Sequence, residues 1–419
     1  MPSAATKRAA GPRQDLPDRV GGPSEDKLVL PHDSSLSVKV LQTPTEILEH
    51  RFLWNSWPGS RDSDLDFFLY IVSARPEVLC PHVLVAYRRD IPEAVLIGRL
   101  EQRRVPVKFG YLHFPTPRVR VLDFVYGGLR GNASPENTAV LISKVLKSLR
   151  DGEADLAVFE HLPVHSHLYH AVGVLAGALE RGISPEHRTH RRLQLPENSE
   201  ALHKILSPKH RQNYRRKARK LLRDFSGAVH IERYRQVSDL MVGEVESIAR
   251  KTYQRGLGFG FKDTPEIRGQ WELAAAKGWL RVSILYVAGK PCAYWIAMAY
   301  NRVLWGDHVG YDPAYSSYSP GMYLLLSGLG DLCDHKWDDD ITEIDFGLGD
   351  AEYKSLLSNC CFKEGLVHIY GRTLRGLGVN LFSSPVLLAD RLVRKFLTRN
   401  NLIAKVKRFW RKHEAPASH

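Results

Sequence analysis

A glycine-containing segment late in the chain carries side chains with acid–base chemistry. It reads Asp345-Phe346-Gly347-Leu348-Gly349-Asp350 and is followed by Tyr353 and Lys354. It lies at the end of a predicted strand, where α/β sheets place their ligands. Asp345 or Asp350 could accept a substrate proton, and Lys354 could bind a substrate phosphate. The structural alternatives are a turn-capping role for Asp345 and a salt bridge between Lys354 and Asp350.

A second candidate lies 25 residues earlier, where Ser319-Pro320-Gly321-Met322-Tyr323 predicts a helix start. Serine can cap free amides, and proline at the first helical position loses no hydrogen bond. The free N–H groups and the positive end of the helix dipole favour phosphate groups. Gly321 allows close approach because it has no Cβ. The alternative is an ordinary capped helix without a ligand.

The elements around these residues occur twice. Each copy is predicted to contain a two-stranded hairpin, a helix that starts at Ser-Pro, and a strand that ends in an acidic residue. The copies are His82–Glu101, Ser134-Pro135 and Glu160, then Arg281–Tyr300, Ser319-Pro320 and Asp345. An offset of 185 aligns the helix starts and aligns Glu160 with Asp345. We therefore predict two α/β halves on one plan, although chance coincidence of common motifs is the alternative.

Composition narrows the class of protein. The 419 residues are 43% hydrophobic and 25% charged, as in globular proteins. No uncharged apolar stretch reaches the ~18 residues of a membrane span. Five cysteines without a CxxC pair make a disulfide framework or zinc ribbon improbable. The net charge is +13, but Lys204–Arg223 and Arg391–Lys412 each hold nine basic residues and no acid, so subtracting these eighteen leaves −5 elsewhere.

The second half resembles the GCN5-related N-acyltransferase (GNAT) fold, in particular the acetyltransferase type associated with cellulose and exopolysaccharide biosynthesis. The resemblance extends over roughly residues 40 to 375 and is strong after 200. The segments that carry it are the hairpin Val282–Tyr300, Gly310–Pro313, Tyr318–Met322, Asp345–Asp350 with Tyr353-Lys354, and the basic Ser207–Asn213. Fem-type peptidoglycan aminoacyltransferases also have tandem halves of this kind.

The resemblance implies an α/β fold of tandem GNAT-like halves, with a mixed sheet flanked by helices, and acetyl-CoA or another acyl-CoA as co-substrate. The amides of His308, Val309 and Gly310 would hold the pantetheine and thioester, while Tyr353 would protonate the departing sulfur. The pyrophosphate would bind at the helix start, and the residues implied there are Ser319, Gly321, Met322 and Tyr323. The chain departs from the common Arg/Gln-x-x-Gly-x-Gly/Ala loop, since Ser316–Gly321 has one glycine and no Arg or Gln.

These patterns lead to one functional hypothesis and two alternatives. We expect an acyl-CoA-dependent N-acyltransferase that acts on an amine acceptor in cell-surface polysaccharide synthesis. A Fem-type aminoacyltransferase that uses aminoacyl-tRNA, or a non-catalytic scaffold of a membrane polysaccharide synthase, are the alternatives. The expected segments are a disordered tail (1–36), a degenerate first half (37–195), the acyltransferase domain (196–377) and a basic helical tail (378–419). A cytoplasmic location is expected, and nothing indicates an oligomeric state.

Two further segments have functional and structural interpretations. Histidines 165, 167 and 170 follow Glu160-His161, but Pro163 and the absence of cysteine favour a loop that lines the groove between the halves over a metal site. Gly256–Phe261 follows a predicted helix, not a strand, which excludes a dinucleotide loop and favours a substrate loop or a plain connector.

The two basic segments are predicted to bind anions. Ser207–Asp224 forms a helix whose cations suit a phosphate-bearing acceptor or an anionic membrane, or only solvent. DNA is not expected as a partner, and RNA is disfavoured because Tyr214 is the sole aromatic residue in this run. Residues 385–412 combine an apolar stripe with nine basic residues, which is typical of a helix on an anionic membrane surface. The alternative is that the stripe packs against the protein body.

Overall fold

Strands and helices alternate through both halves of the chain. This computed structural model describes residues 35–109, 112–178, 180–182, 186–252, 255, 260–337, 340–349 and 351–399. The first half comprises β1 (Leu36–Leu41), α1 (Pro44–Glu49), α2 (Arg51–Ser56), α3 (Leu65–Ala74), β2 (Val78–Pro81), β3 (Val83–Arg88), β4 (Ile91–Arg104), β5 (Val107–Phe109), β6 (Leu112–Phe114), β7 (Arg118–Gly131), α4 (Pro135–Arg150), β8 (Leu156–Pro163), α5 (His167–Leu175) and β9 (Glu186–Gln194). The second comprises α6 (Ser199–Ile205), α7 (Pro208–Asp224), β10 (Val229–Tyr234), α8 (Asp239–Lys251), α9 (Pro265–Ala276), β11 (Leu280–Val287), β12 (Lys290–Tyr300), β13 (Val303–Tyr311), α10 (Pro320–Cys333), β14 (Glu343–Leu348), α11 (Glu352–Leu357), β15 (Cys360–Tyr370) and α12 (Leu374–Arg399).

A single mixed sheet joins the two halves, which confirms the predicted tandem α/β fold. Its order is β1-β3-β4-β7-β8-β15-β9-β14-β13-β12-β11-β10, with β2 beside β4. Helices cover both faces of each half, because the strands are apolar on both faces. In the first half, α4 buries Leu141 in one core while Phe68 of α3 lies in another. In the second half, Leu324 of α10 and Val245 of α8 occupy the corresponding cores.

The two predicted hairpins are present. β3 pairs with β4, and β11 pairs with β12. Arg89 and Asp90 form one turn with φ of 48° and 69°, and Ala288 and Gly289 form the other with 50° and 72°. Two successive left-handed residues match the right-handed twist of the flanking strands, so these short turns hold their hairpins in register.

The halves exchange one strand each at the centre of the sheet. β9 precedes the second half in sequence but pairs with β14. β15 closes the second half in sequence but pairs with β8 of the first. β9 and β15 pair antiparallel with each other. Neither half therefore completes its own sheet, and the division expected at 195/196 separates segments that share hydrogen bonds.

Strand pairing corrects the alignment of the two halves. Near its carboxyl end, each strand has one extra residue relative to its partner. In β8, Phe159 lies opposite Val367 and Leu162 opposite Gly365, whereas in β14, Asp345 lies opposite Arg192 and Leu348 opposite His190. The bulges superimpose with an offset of 186, so the counterpart of Asp345 is Phe159 and not Glu160. The offset of 185 is valid at the helix starts and is lost before the bulge.

The predicted tail begins earlier than expected. α12 starts at Leu374 and continues through Pro385 to Arg399. Its inner face packs on the body through Val379, and the Tyr370 hydroxyl lies 2.9 Å from that of Ser383. The break expected at Asn400-Asn401 lies outside the described residues. Within the described part of the chain, no helix is long and apolar enough to cross a membrane.

The strand exchange predicts that two fragments of the chain, one for each half, do not fold independently. Fragments 35–195 and 196–399, expressed separately, should each lack cooperative thermal unfolding, because each lacks the strand beside its last parallel strand. Co-expressed, they should copurify at equal stoichiometry and unfold in one transition by circular dichroism. A fragment that starts at Glu186, and so retains β9, should be more soluble than 196–399. Cooperative unfolding of both isolated fragments would contradict the exchange.

Candidate functional site

A cleft of about 430 Å³ opens between the two halves beside the exchanged strands. β7 and β8 form its first wall, β13 and β14 form the second, and α3 with the turn at Arg61–Ser63 lies above them. The lining is mostly polar. Its ionisable and hydrogen-bonding members include Arg61, Asp62, Arg99, Asp123, Tyr126, Glu160, His161, His190, Asp307 and Asp345.

His190 lies between two carboxylates on neighbouring strands. Its Nε2 lies 2.6 Å from Asp345 Oδ1, and its Nδ1 lies 2.8 Å from Glu364 Oε2. All three side chains are at most 3% exposed. Burial lowers the pKa of His190, but the hydrogen bonds with the two carboxylates outweigh it and raise the pKa above 6.5. Because both nitrogens face acceptors, the ring can donate to both carboxylates only as an imidazolium, the form that the raised pKa favours.

Aromatic and cationic side chains enclose this cluster. Tyr126 and Phe362 stack on either side of the His190 ring, with centroids at 5.8 and 4.8 Å. The Tyr126 hydroxyl donates to Glu364 at 3.2 Å. Arg192 Nε lies 3.0 Å from Asp345 Oδ2 in an ion pair. The cluster is therefore preorganised, since each buried charge has an opposite charge beside it.

Asp345 lines the cleft as a paired anion. Burial raises its pKa, yet the hydrogen bond from His190 and the charges of His190 and Arg192 lower it below 3.8 overall. The Gly347 amide also donates to Oδ1, at 2.7 Å. A carboxylate so stabilised is a weak proton acceptor, so this geometry favours a positioning role for Asp345 over the predicted role as a base.

Tyr353 and Lys354, the other described candidates from this segment, have structural contacts in α11. Tyr353 lies in α11, where its ring contacts Phe346 edge to face and burial raises its pKa to about 12. Lys354 donates from Nζ to the Leu348 carbonyl at 2.6 Å, an arrangement that holds the end of β14. Burial lowers the pKa of Lys354. Asp350 lies outside the described residues.

His308, Val309 and Gly310 lie where β13 has no parallel neighbour. β13 pairs with β14 only over Val303–Trp305, although it pairs with β12 as far as Tyr311. Its β14-facing edge is therefore open from Gly306 onward. Gly310 has a packing role, since a Cβ there would lie 2.6 Å from the Tyr294 ring.

The α10 start differs from its predicted form. Ser134 caps α4 by accepting from the Asn137 amide, but Ser319 has a left-handed backbone (φ 52°) and makes no cap bond. Instead, Lys217 Nζ lies 2.7 Å from Ser319 Oγ. Gly321 is buried, with room for a Cβ 3.4 Å from Tyr311. Met322 and Tyr323 pack against the core. The cation at this helix end is therefore Lys217 of α7.

The predictions omitted several residues that the cleft brings together. Tyr126, His190 and Glu364 received no functional prediction, and no local motif indicates them. His161 was noted only within a groove-lining segment. Glu160 and His161 do line the cleft, whereas His167 and His170 belong to α5. Within the described ranges, no group of three or more His, Cys, Asp or Glu side chains could hold a metal ion.

Removing His190 should destabilise the fold. His190→Gln leaves Asp345 and Glu364 buried without their shared cation, a loss expected to cost about 3–5 kcal/mol. Urea unfolding at pH 6.5 measures it. The control is His187→Gln on the exposed part of the same strand. A loss below about 1 kcal/mol, typical of an exposed pair, would contradict an ionic cluster.

The loss should also depend on pH. The raised pKa of His190 means that its contribution is complete below the unfolded-state value of 6.5 and disappears as pH rises through the folded-state pKa. The difference in unfolding free energy between wild type and His190→Gln should therefore shrink as pH rises above that pKa. A pH-independent difference would show that His190 is neutral in the folded protein.

Comparisons with known proteins agree with the fold. Residues 208–355 match the family model described as Acetyltransferase (GNAT) domain. The crystal structure of FemX has a TM-score of 0.55 at 9% identity and covers 83% of this chain and 100% of that chain. No curated protein sequence matches this chain.

Two further structures align with lower scores. The C-terminal domain (DUF2156) of a putative lysylphosphatidylglycerol synthetase from Agrobacterium fabrum has a TM-score of 0.47 at 13% identity, and covers 82% of this chain and 98% of its own. A tandem GNAT protein from the clavulanic acid biosynthesis pathway has 0.46 at 12%, with 81% and 99% covered. The fold is that of tandem GNAT-like halves, and residues 208–355 are similar to a GNAT acetyltransferase domain.

Proposed function

We propose that the protein is an acyl-CoA-dependent N-acyltransferase, with acetyl-CoA as donor, acting on an amine acceptor in cell-surface polysaccharide synthesis. The observation that carries the proposal is the open edge of β13, which begins at Gly306 on the cleft and continues through His308–Gly310 toward the α10 start. An extended thioester fits an unpaired strand edge because exposed backbone groups can bind its amides. The acyl group would then lie at the cleft.

The charges at the α10 start suit the phosphates of CoA. Lys217 contacts Ser319, and Lys220 Nζ lies 4.9 Å from the centroid of the Tyr318 ring. Both lysines extend from α7 toward free amides at the positive end of α10. When bound, acyl-CoA supplies an activated thioester. The chain contributes the open strand edge, the cations and a polar cleft for the amine.

The first half is unsuited to a second donor molecule. Ser134 already accepts from the Asn137 amide at the start of α4, and Glu136 lies in the first turn. The Glu93 carboxylate accepts from the Asn137 side chain at 2.9 Å. These carboxylates would repel a pyrophosphate. We therefore assign the first half to the acceptor wall of the cleft.

A Fem-type aminoacyltransferase is the second candidate. Lys209, Arg215, Arg219 and Lys220 of α7 are exposed, and within the described chain none forms an ion pair with a carboxylate. Such a row of cations would suit the phosphates of an aminoacyl-tRNA donor. A non-catalytic scaffold would bind neither donor.

Calorimetry with acetyl-CoA tests the donor site. Wild type should bind acetyl-CoA, and Gly321→Val should weaken binding at least tenfold, about 1.4 kcal/mol, because the added methyl groups obstruct the approach to the helix amides. The control is Gly173→Val, at a helical position where nothing lies within 4 Å of an added Cβ. Unchanged affinity in a folded Gly321→Val protein would exclude this site. A requirement for charged tRNA would favour the Fem-type reaction.

We also propose that α12 binds the cytoplasmic surface of an anionic membrane. Its outer face exposes a row of leucines along several turns. The exposed fractions are 93% for Leu374, 79% for Leu381, 41% for Leu388 and 59% for Leu392. In the sequence, nine basic residues follow this row within 391–412. The apolar stripe remains open within the described part of α12, which supports the membrane over packing against the body.

Vesicle co-sedimentation tests this surface. Full-length protein should pellet with phosphatidylglycerol-rich vesicles at low salt and be released as salt rises, because ions screen the attraction. Leu381→Glu with Leu392→Glu should keep it in the supernatant. Leu79→Glu with Ile91→Glu, at leucine and isoleucine positions 51% and 67% exposed in the first half, is the matched control. Equal sedimentation of both double variants would contradict membrane binding by α12.

A further inference from the structure

His161 occupies an unusual backbone position in the wall of the cleft. It lies in the bulge of β8, where two residues, Glu160 and His161, take the place of one. Its φ is 63°, in the left-handed region that non-glycine residues seldom adopt. Bulges redirect side chains, and here both Glu160 and His161 line the cleft.

The second half has glycine at the equivalent position. The bulges of β8 and β14 superimpose with an offset of 186, so His161 corresponds to Gly347, whose φ is 65°. Glycine adopts this conformation without strain, whereas a residue with a Cβ is strained there. A histidine at the strained position, directed into the cleft, needs an explanation beyond packing.

The imidazole of His161 has no hydrogen bond within the described chain. Its side chain is 30% exposed, with Nδ1 3.9 Å from Glu364 Oε2 and Nε2 3.8 Å from Glu160 Oε2. The Tyr126 ring contacts it edge to face at 5.6 Å. Both nitrogens are thus available to a ligand, and two carboxylates stand just beyond hydrogen-bond distance.

Burial favours the neutral form of this ring. Burial is the largest influence and lowers the pKa of His161 below 6.5. The imidazolium of His190 and the Arg188 guanidinium lower it further, whereas Glu364 and Asp62 raise it. Around neutral pH the ring therefore has one unprotonated nitrogen. If it takes a proton, Glu364 and Glu160 are positioned to stabilise the cation.

We propose that His161 is the catalytic base that receives the proton of the acceptor amine. This inference rests on the proposed acyl transfer. The amine nitrogen attacks the thioester carbonyl, its N–C bond forms as the C–S bond breaks, and its proton passes to His161 and then to water. The departing thiolate takes a proton from water.

Other candidates in the cleft fit this role less well. Both nitrogens of His190 already face carboxylates. Asp345 accepts from His190 and Gly347 and pairs with Arg192. His161 instead combines free nitrogens with a place on the acceptor wall, across the cleft from the open edge of β13. The first half thus contributes a reacting group as well as a surface.

His161→Gly is the informative variant, because it installs the residue that the second half uses. It should unfold at the same or a higher temperature than wild type, since the left-handed strain is relieved. Transfer from acetyl-CoA to glucosamine at pH 7 should fall about 100-fold or more, with unchanged acetyl-CoA affinity. Added imidazole should restore part of the rate. Transfer to hydroxylamine should fall far less, because its weakly basic nitrogen is already unprotonated at this pH and gives up its proton to water more readily.

Chemical modification tests whether the His161 imidazole is free to react, without the need for an acceptor amine. Diethyl pyrocarbonate at pH 7 should modify His161 of wild type faster than the doubly bonded His190, with the exposed His165 as positive control. His165→Gln should leave transfer unchanged.

These outcomes distinguish a failure of the proposed acyltransferase function from a failure of the assignment of His161 as the base. If wild type binds no acyl-CoA, the proposed function fails, whereas an unmodified His161 overturns the base assignment. Transfer within threefold of wild type in His161→Gly, or equal loss with both amines and no imidazole rescue, also overturns it and leaves the acyltransferase function standing.

Discussion

The antiparallel pairing of β9 with β15 is the contact on which the rest of the structure depends. Each strand belongs by sequence to one half and by hydrogen bonding to the other, so the pair joins two sheets into one. It also brings His190 and Glu364 beside Asp345 of β14. Burying three charges is costly, and only a cation between two anions, with Arg192 adjacent, offsets that cost. This buried cluster of ion pairs therefore forms one side of the cleft and holds its residues in place.

Two irregularities in the strands turn this continuous sheet into a site. β13 parts from β14 after Trp305, and β7 pairs with β8 only as far as Phe124, so each half has an opening that borders the cleft. The bulges of β8 and β14 lie beside these openings. The two halves differ at the corresponding helix starts, because Ser134 caps α4 whereas the start of α10 has no side-chain cap and lies near Lys217.

Charge is distributed in keeping with this division. α7 places lysines at the start of α10, while the basic tail follows the exposed leucine row of α12. The cleft is different, since its cations are largely paired, as in Arg61 with Asp307 and Arg99 with Asp123. Paired charges give a polar, oriented interior without a strong net field. The unpaired cations and the polar cleft therefore lie on separate surfaces.

The sequence by itself determined the hairpins, the Ser-Pro helix starts, the two-half plan and the acyltransferase-like segment, because each depends on residues close together in the chain. Only the tertiary structure decided the strand neighbours, the loss of the Ser319 cap to Lys217, and the alignment of Phe159 with Asp345. His190 meets its two carboxylates across separations of 155 and 174 residues. No local sequence pattern indicates such contacts, because they depend on which strands are neighbours. That strand order is set by long-range pairing across the whole sheet.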